Sequence, residues 1–206
     1  MPSPSSPYIW LPALQRYRDT ATGRFASSAE VRGWGQASMD DSADHARGMA
    51  GALTEHDITL GQWERNMREQ IKEEYIRQYL LGRGGRDLMT PVDWGSIGGM
   101  CADQYRYLDG FAAEIATGEL SEKQIAARSA MYLHSAREAF ERARDRAQPD
   151  VTEIQWNTTA AESCVDCVAY ADMGWQPIAD DPYGGNLPGS GGTRCLVNCR
   201  CFTTRR

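Results

Sequence analysis

Five of the six cysteines crowd into one stretch: Cys164, Cys167, Cys195, Cys199 and Cys201, with Cys101 standing apart. Their order is Cys164-x2-Cys167, a loop of 27 residues, then Cys195-x3-Cys199-x-Cys201. A Cys-x-x-Cys turn lets two sulfurs meet one metal ion, and a returning segment completes a tetrahedron. Thiolates with no redox demand suit a single structural zinc ion, whose binding energy becomes folding energy for a long loop. In the second half three cysteines compete for two places. Cys195 and Cys199 are favoured, because they flank the Leu196-Val197-Asn198 turn, and Cys201 is the reserve, since a Cys199–Cys201 pair needs the grip of alternate residues at a strand end. Four thiolates on a divalent ion carry a formal charge of about −2, which Arg194 and Arg200 are placed to offset. Two other uses of these thiols stay open: disulfides formed outside a reducing cell, and reduced cysteines without a ligand. A redox role for Cys164-Val165-Asp166-Cys167 lacks the surrounding βαβ pattern it would need. Cys101 falls in a helical stretch, where a small buried thiol is expected.

The remaining residues give little reason to expect an enzyme. His45, His56 and His134 lie in predicted helices or at their ends, far in sequence from the cysteines, and no local Ser/His/Asp set accompanies them. The glycine runs at 82–87 and 188–194 lack the preceding strand and the Lys-Ser/Thr that a phosphate-binding loop requires, so they read as turns. Arg194, Arg200, Arg205 and Arg206 would add a weak, salt-sensitive phosphate contact, opposed by Asp166, Asp172, Asp180 and Asp181.

Composition agrees with this. The net charge of −6 over 206 residues disfavours a broad basic face for duplex DNA. Hydrophobic residues at 41% and charged ones at 24% are those of a globular chain. No apolar run reaches the length of about 18 residues that a membrane helix needs, so no membrane is expected among the partners. The first residues have no basic region and are broken by prolines, unlike a secretory signal.

Four stretches must position the cysteines. Residues 1–28 read as an extended arm: Pro2, Pro4, Pro7 and Pro12 disfavour helix. Its Thr22-Gly23 pair reads as a turn, and Tyr17, Arg18, Arg24 and Phe25 are available to dock on a partner. Residues 29–149 form a helical domain. Its first helix, capped by Ser28, is weakened by Gly33, Gly35, Gly48 and Gly51 and needs tertiary support. Thr59 and Gln62 make a capping box for a helix whose Leu60, Trp63, Met67, Ile71, Tyr75 and Tyr79 share one face. Thr90 and Pro91 open another helix, which runs to about Thr117 with Gly118 beyond it. Ser121 and Gln124 open one continuous helix to about Ala147. Trp63, Ile71, Leu108, Ile115, Leu133 and Phe140 are the expected core or interface positions. Residues 150–206 form a Cys-rich β module, in which Ile154 and Trp156 alternate with polar residues on a half-buried strand. The chain is therefore expected to be α+β and mainly α-helical, with an extended N-terminal arm and a small zinc-ribbon-like β module.

The closing segment resembles the C-terminal signature of phage minor head proteins of the Mu F-like head-morphogenesis family. The elements that carry it are Trp156, Cys164, Cys167, Pro188, Gly189, Thr193, Cys195, Asn198, Cys199, Arg200 and Cys201, closing in Asn-Cys-Arg-Cys. Residues 104–140 also look like the helices that precede this signature. Cys195 stands about where many members carry histidine. The resemblance implies a non-enzymatic virion structural protein, present in the host cytoplasm during assembly and acting in capsid assembly at or near the portal. Its implied partners are the portal and the major capsid protein. The competing reading is a zinc-ribbon protein that contacts packaged DNA.

Overall fold

The computed structural model describes residues 6–159 and 163–206; Pro2 and Pro4 of the expected arm lie outside them. The chain is mainly helical, with one small sheet preceding the long helices in sequence and another following them.

The long helices start where side chains satisfy their exposed N–H groups. Helix α1 (Ser28–Thr54) is capped by Ser27, one residue before the expected cap, in a reciprocal box with Glu30. Helix α2 (Leu60–Arg83) uses Thr59 and Gln62. Helix α3 (Pro91–Ala116) uses Thr90 and Asp93, and helix α4 (Glu122–His134) uses Ser121 and Gln124. Such caps are each worth about 0.5–2 kcal/mol.

The single helix expected over residues 121–147 is two. It breaks at Ser135-Ala136, and α5 (Arg137–Ala147) starts without a side-chain cap. Ser135 explains the break. Its hydroxyl donates back to the Tyr132 carbonyl at 2.7 Å and lies 2.9 Å from the buried Tyr75 hydroxyl. A hydroxyl bonded to its own helix competes with the backbone ladder and bends it.

Helix α2 lies at the centre, flanked by α1, α3 and α5. Its predicted apolar face is the core: Trp63, Met67, Ile71, Tyr75 and Tyr79 pack with Ile97, Leu108 and Phe111 of α3 and Ile125 and Leu133 of α4. Ile115 is only partly buried against this cluster, and Phe140 belongs to another one. α1 runs along α4, which supplies the tertiary support its glycines demand. At the crossing of α2 and α5, a Cβ on Gly82 would lie 2.2 Å from the Phe140 carbonyl oxygen, so only glycine permits this approach.

From Tyr8 to Ala26 the expected arm is folded onto the body. β1 (Tyr8–Leu11), β2 (Arg16–Asp19) and β3 (Phe25–Ala26) form an antiparallel meander. Asp19 closes its tight turn by accepting from the N–H groups of Ala21 and Thr22. Trp10 and Tyr17, with ring centroids 4.9 Å apart, are buried with Val31, Leu81 and Phe140. The Trp10 N–H donates to the Gly84 carbonyl at 3.0 Å. Burial of two large rings outweighs the freedom the prolines suggest. Tyr17 is thereby spent on the protein's own body, whereas Phe25 stays exposed.

The C-terminal sheet has the order β5-β4-β6, all antiparallel: Gln176–Pro177, Glu153–Asn157 and Phe202–Arg205. Ile154 and Trp156 of β4 are buried as their alternation predicts. A short helix, α6 (Val165–Asp172), packs beside β4.

Candidate metal centre

α6 and the approach to β6 deliver the cysteines from opposite sides. Cys164 is the N-cap residue of α6 and Cys167 sits in its first turn. Cys195 precedes the single turn Leu196–Asn198 and Cys199 follows it. Leu196 takes a positive φ of 52°, which folds this turn tightly enough to return Cys199 to the cluster. Cys201 directly precedes β6 and is buried.

The fold brings all five sulfurs together and leaves Cys101 in the helical core. The Sγ atoms of Cys164 and Cys195 are 3.4 Å apart, those of Cys167 and Cys195 3.6 Å, and those of Cys167 and Cys199 3.6 Å. Zinc–sulfur bonds of about 2.3 Å give a tetrahedral edge of about 3.8 Å, close to these spacings. The sulfurs form two triads, Cys164–Cys167–Cys195 and Cys167–Cys199–Cys201, each within 4.8 Å, so Cys167 belongs to both. This donor set could hold a metal ion. Among the described residues no histidine or carboxylate joins either triad.

The module's other contents fit that role. Trp156, Tyr170 and Tyr183 form a ring trio with centroids 5.0–5.3 Å apart, packed in the same cluster as the cysteines. The Tyr183 hydroxyl accepts from the Trp156 backbone N–H at 2.8 Å. The buried Trp156 indole N–H has no full hydrogen bond of its own, and it is among the groups that favour the thiolate of Cys201. An indole N–H beside sulfur finds its acceptor in a thiolate at Cys201.

The sulfurs are electrostatically unequal. Hydrogen bonding from Cys199, against the opposing effect of burial, brings Cys201 down to about 5. At Cys164 burial acts upward, but hydrogen bonds from the Cys167 backbone and the Cys195 thiol outweigh it and bring the group to about 7. Burial pushes Cys167 up, while at Cys199 the proton shared with Cys201 and then burial do so. Two of the sulfurs are thus already thiolate-prone, the form a metal ion binds.

Each arginine of the C-terminal segment has a carboxylate partner. Arg194 meets Asp166, its backbone N–H donating to Oδ2 at 2.7 Å. Arg200 lies 3.8 Å from Asp40, and Arg206 bonds Glu153 at 2.7 Å. Arg205 is wholly buried against Glu141 and Asp145. The sequence reading missed Arg137 of α5. Burial lowers its pKa, and Glu141 and then Cys199 are the negative charges that oppose the shift. It thus brings a partly buried positive charge towards Cys199 from the helical body. Nothing in its local sequence sets it apart from the other arginines of α5.

No known protein family, curated protein or solved structure matches the chain.

Proposed function

We propose that this chain is a non-enzymatic structural protein of a phage virion, acting in capsid assembly at or near the portal, with its C-terminal module folded around one structural zinc ion. The observation that carries the metal reading is the convergence of five sulfurs from α6 and the segment before β6. Cys164, Cys167 and Cys195 supply three thiolates and Cys199 the fourth, the ion displacing the proton it shares with Cys201, which stands beside it as the reserve ligand. When bound, the ion cross-links two segments separated by a 27-residue loop. Four protein ligands leave no position for water or substrate, which supports a structural role over catalysis.

The assembly reading rests on the closing motif from Pro188 to Cys201. The reading as a DNA-binding zinc ribbon draws less support, because Arg194, Arg200, Arg205 and Arg206 are already engaged by carboxylates. Two measurements test the proposal. Elemental analysis of protein purified without chelator should give about one zinc per chain, lost in Cys164→Ser; metal-free protein with cysteines linked as disulfides would overturn the site. Co-purification with portal or capsid protein in fixed stoichiometry is expected from infected cells. Free protein that binds DNA in a salt-sensitive way and never enters particles would replace the assembly role.

A further inference from the structure

A groove of about 810 Å³ opens between the N-terminal sheet and β6. Trp10 and Tyr17 face it from one side, the end of α5 from another. Two sheet edges line it, because β3 is the outer strand of the N-terminal sheet and β6 the outer strand of the C-terminal sheet. The outer side of β3 carries no backbone ladder among the described residues, whereas β6 is already engaged there: its Thr203 carbonyl accepts from Arg144 at 3.1 Å. An open strand edge is a template for another extended chain.

The charges of the groove are unbalanced in one place. Arg144, Arg205 and Arg206 are neutralised by Glu141, Asp145 and Glu153. Arg16 and Arg32 have no carboxylate within ion-pair distance among the described residues. Arg16 lies over the Phe25 ring at 4.8 Å and Arg32 over the Phe202 ring at 3.9 Å. Stacking holds both guanidiniums by one face and leaves their planar N–H forks for an outside acceptor. Of the two acidic lining residues, Glu30 is committed to the cap of α1, and Asp150 lies exposed in the turn after α5, so the two arginines outnumber the one uncommitted carboxylate.

We propose that this groove takes an extended, acidic polypeptide segment of a partner protein, paired along the open edge of β3 with its carboxylates on Arg16 and Arg32. A polypeptide is favoured over a nucleic acid because only a polypeptide can continue the backbone ladder of β3. The site makes no direct contact with the cysteines, although β6, which follows Cys201, forms one of its walls.

The test uses the full chain and a fluorescent peptide of alternating Glu and Val, which on a strand puts all its carboxylates on one face. Fluorescence anisotropy at low salt should show binding that weakens as salt rises. Arg32→Gln combined with Arg16→Gln should weaken it at least about tenfold. Arg106→Gln, at an exposed position on α3, should not, and a Lys-Val peptide should not bind. The single change Arg16→Gln, at an exposed side chain, gives the same readout without risk to the fold. Absence of Glu-Val binding, or equal binding by all variants, overturns the proposal. Tighter binding of oligothymidylate with the same arginine dependence overturns it in favour of a nucleic-acid groove.

Discussion

Arg205 of β6 is buried against Glu141 of α5, its Nη1 3.1 Å from Glu141 Oε2, and neither side chain is reached by more than a trace of solvent. Thr203 donates to the same carboxylate oxygen at 2.7 Å, and Arg144 spans from Glu141 to the Thr203 carbonyl. Asp145 takes the other side of the Arg205 guanidinium at 2.7 Å. The Cys-rich module is therefore fastened to the helical body through a desolvated charge network as well as by packing.

Removing one partner of such a pair strands the other, which typically costs about 3–5 kcal/mol. Arg205→Ala should show a loss of this order in urea unfolding, softened because Arg144 remains.

The same network sets an acid limit. Burial pushes the Glu141 carboxyl up, but Arg144 and Arg205 outweigh it, and the group sits below the usual glutamate range. Its contribution is complete above the unfolded value of about 4.3 and is lost as pH falls through the lower folded value. Glu141→Gln should lower stability near neutral pH and flatten this part of the acid limb. Unfolding midpoints measured across the acid range check both; an unchanged slope would show that Glu141 is not the titrating group.

Cys167 belongs to both sulfur triads, so Cys167→Ser should abolish metal uptake. Cys201→Ser should keep the ion but weaken its affinity by about 10–100-fold, the usual cost of losing an outer partner of a ligand. Competition with a chromophoric chelator measures both. Equal losses at the two positions would place Cys201 among the direct ligands.

Gly84 holds φ at +91°, and a Cβ there would lie 2.0 Å from the Trp10 Cβ. Gly84→Ala should dislodge the N-terminal meander, which limited proteolysis within residues 6–26 and a red shift in tryptophan emission would detect, with helicity retained. Deleting residues 1–26 should destabilise the body, because it uncovers Val31, Leu81 and Phe140.

Phe140→Ala should cost about 3–5 kcal/mol, as for other buried aromatic truncations. Phe140 packs against Trp10 and Tyr17 as well as α2, so the loss should reach the N-terminal sheet too. A thermal midpoint within error of the parent protein would refute the packing assignment.

The helix starts at Thr59, Thr90 and Ser121 were legible because a cap and its partner three residues on are local signals. The face from Trp63 to Tyr79 was legible because burial follows the helical period. What escaped notice depends on distant residues. The break at Ser135 needs Tyr75, and the meander at Tyr8–Ala26 needs Leu81 and Phe140 to bury its rings. Strand β6 reads as a charged tail until Glu141 and Asp145 are placed beside Arg205. The gathering of the cysteines could be read from their spacing, but the central place of Cys167 required the positive-φ turn at Leu196.

The distance along the chain between Glu141 and Arg205 also orders the birth of the protein. Arg205 is made 64 residues after Glu141, a delay of about 3–13 s at ordinary ribosomal rates of about 5–20 residues per second. Until then, of the two arginines that form ion pairs with Glu141, only Arg144 is present, and its own anchor, the Thr203 carbonyl, is missing. The face of the nascent α5 around Glu141 therefore stays open to water until β6 emerges to cover it.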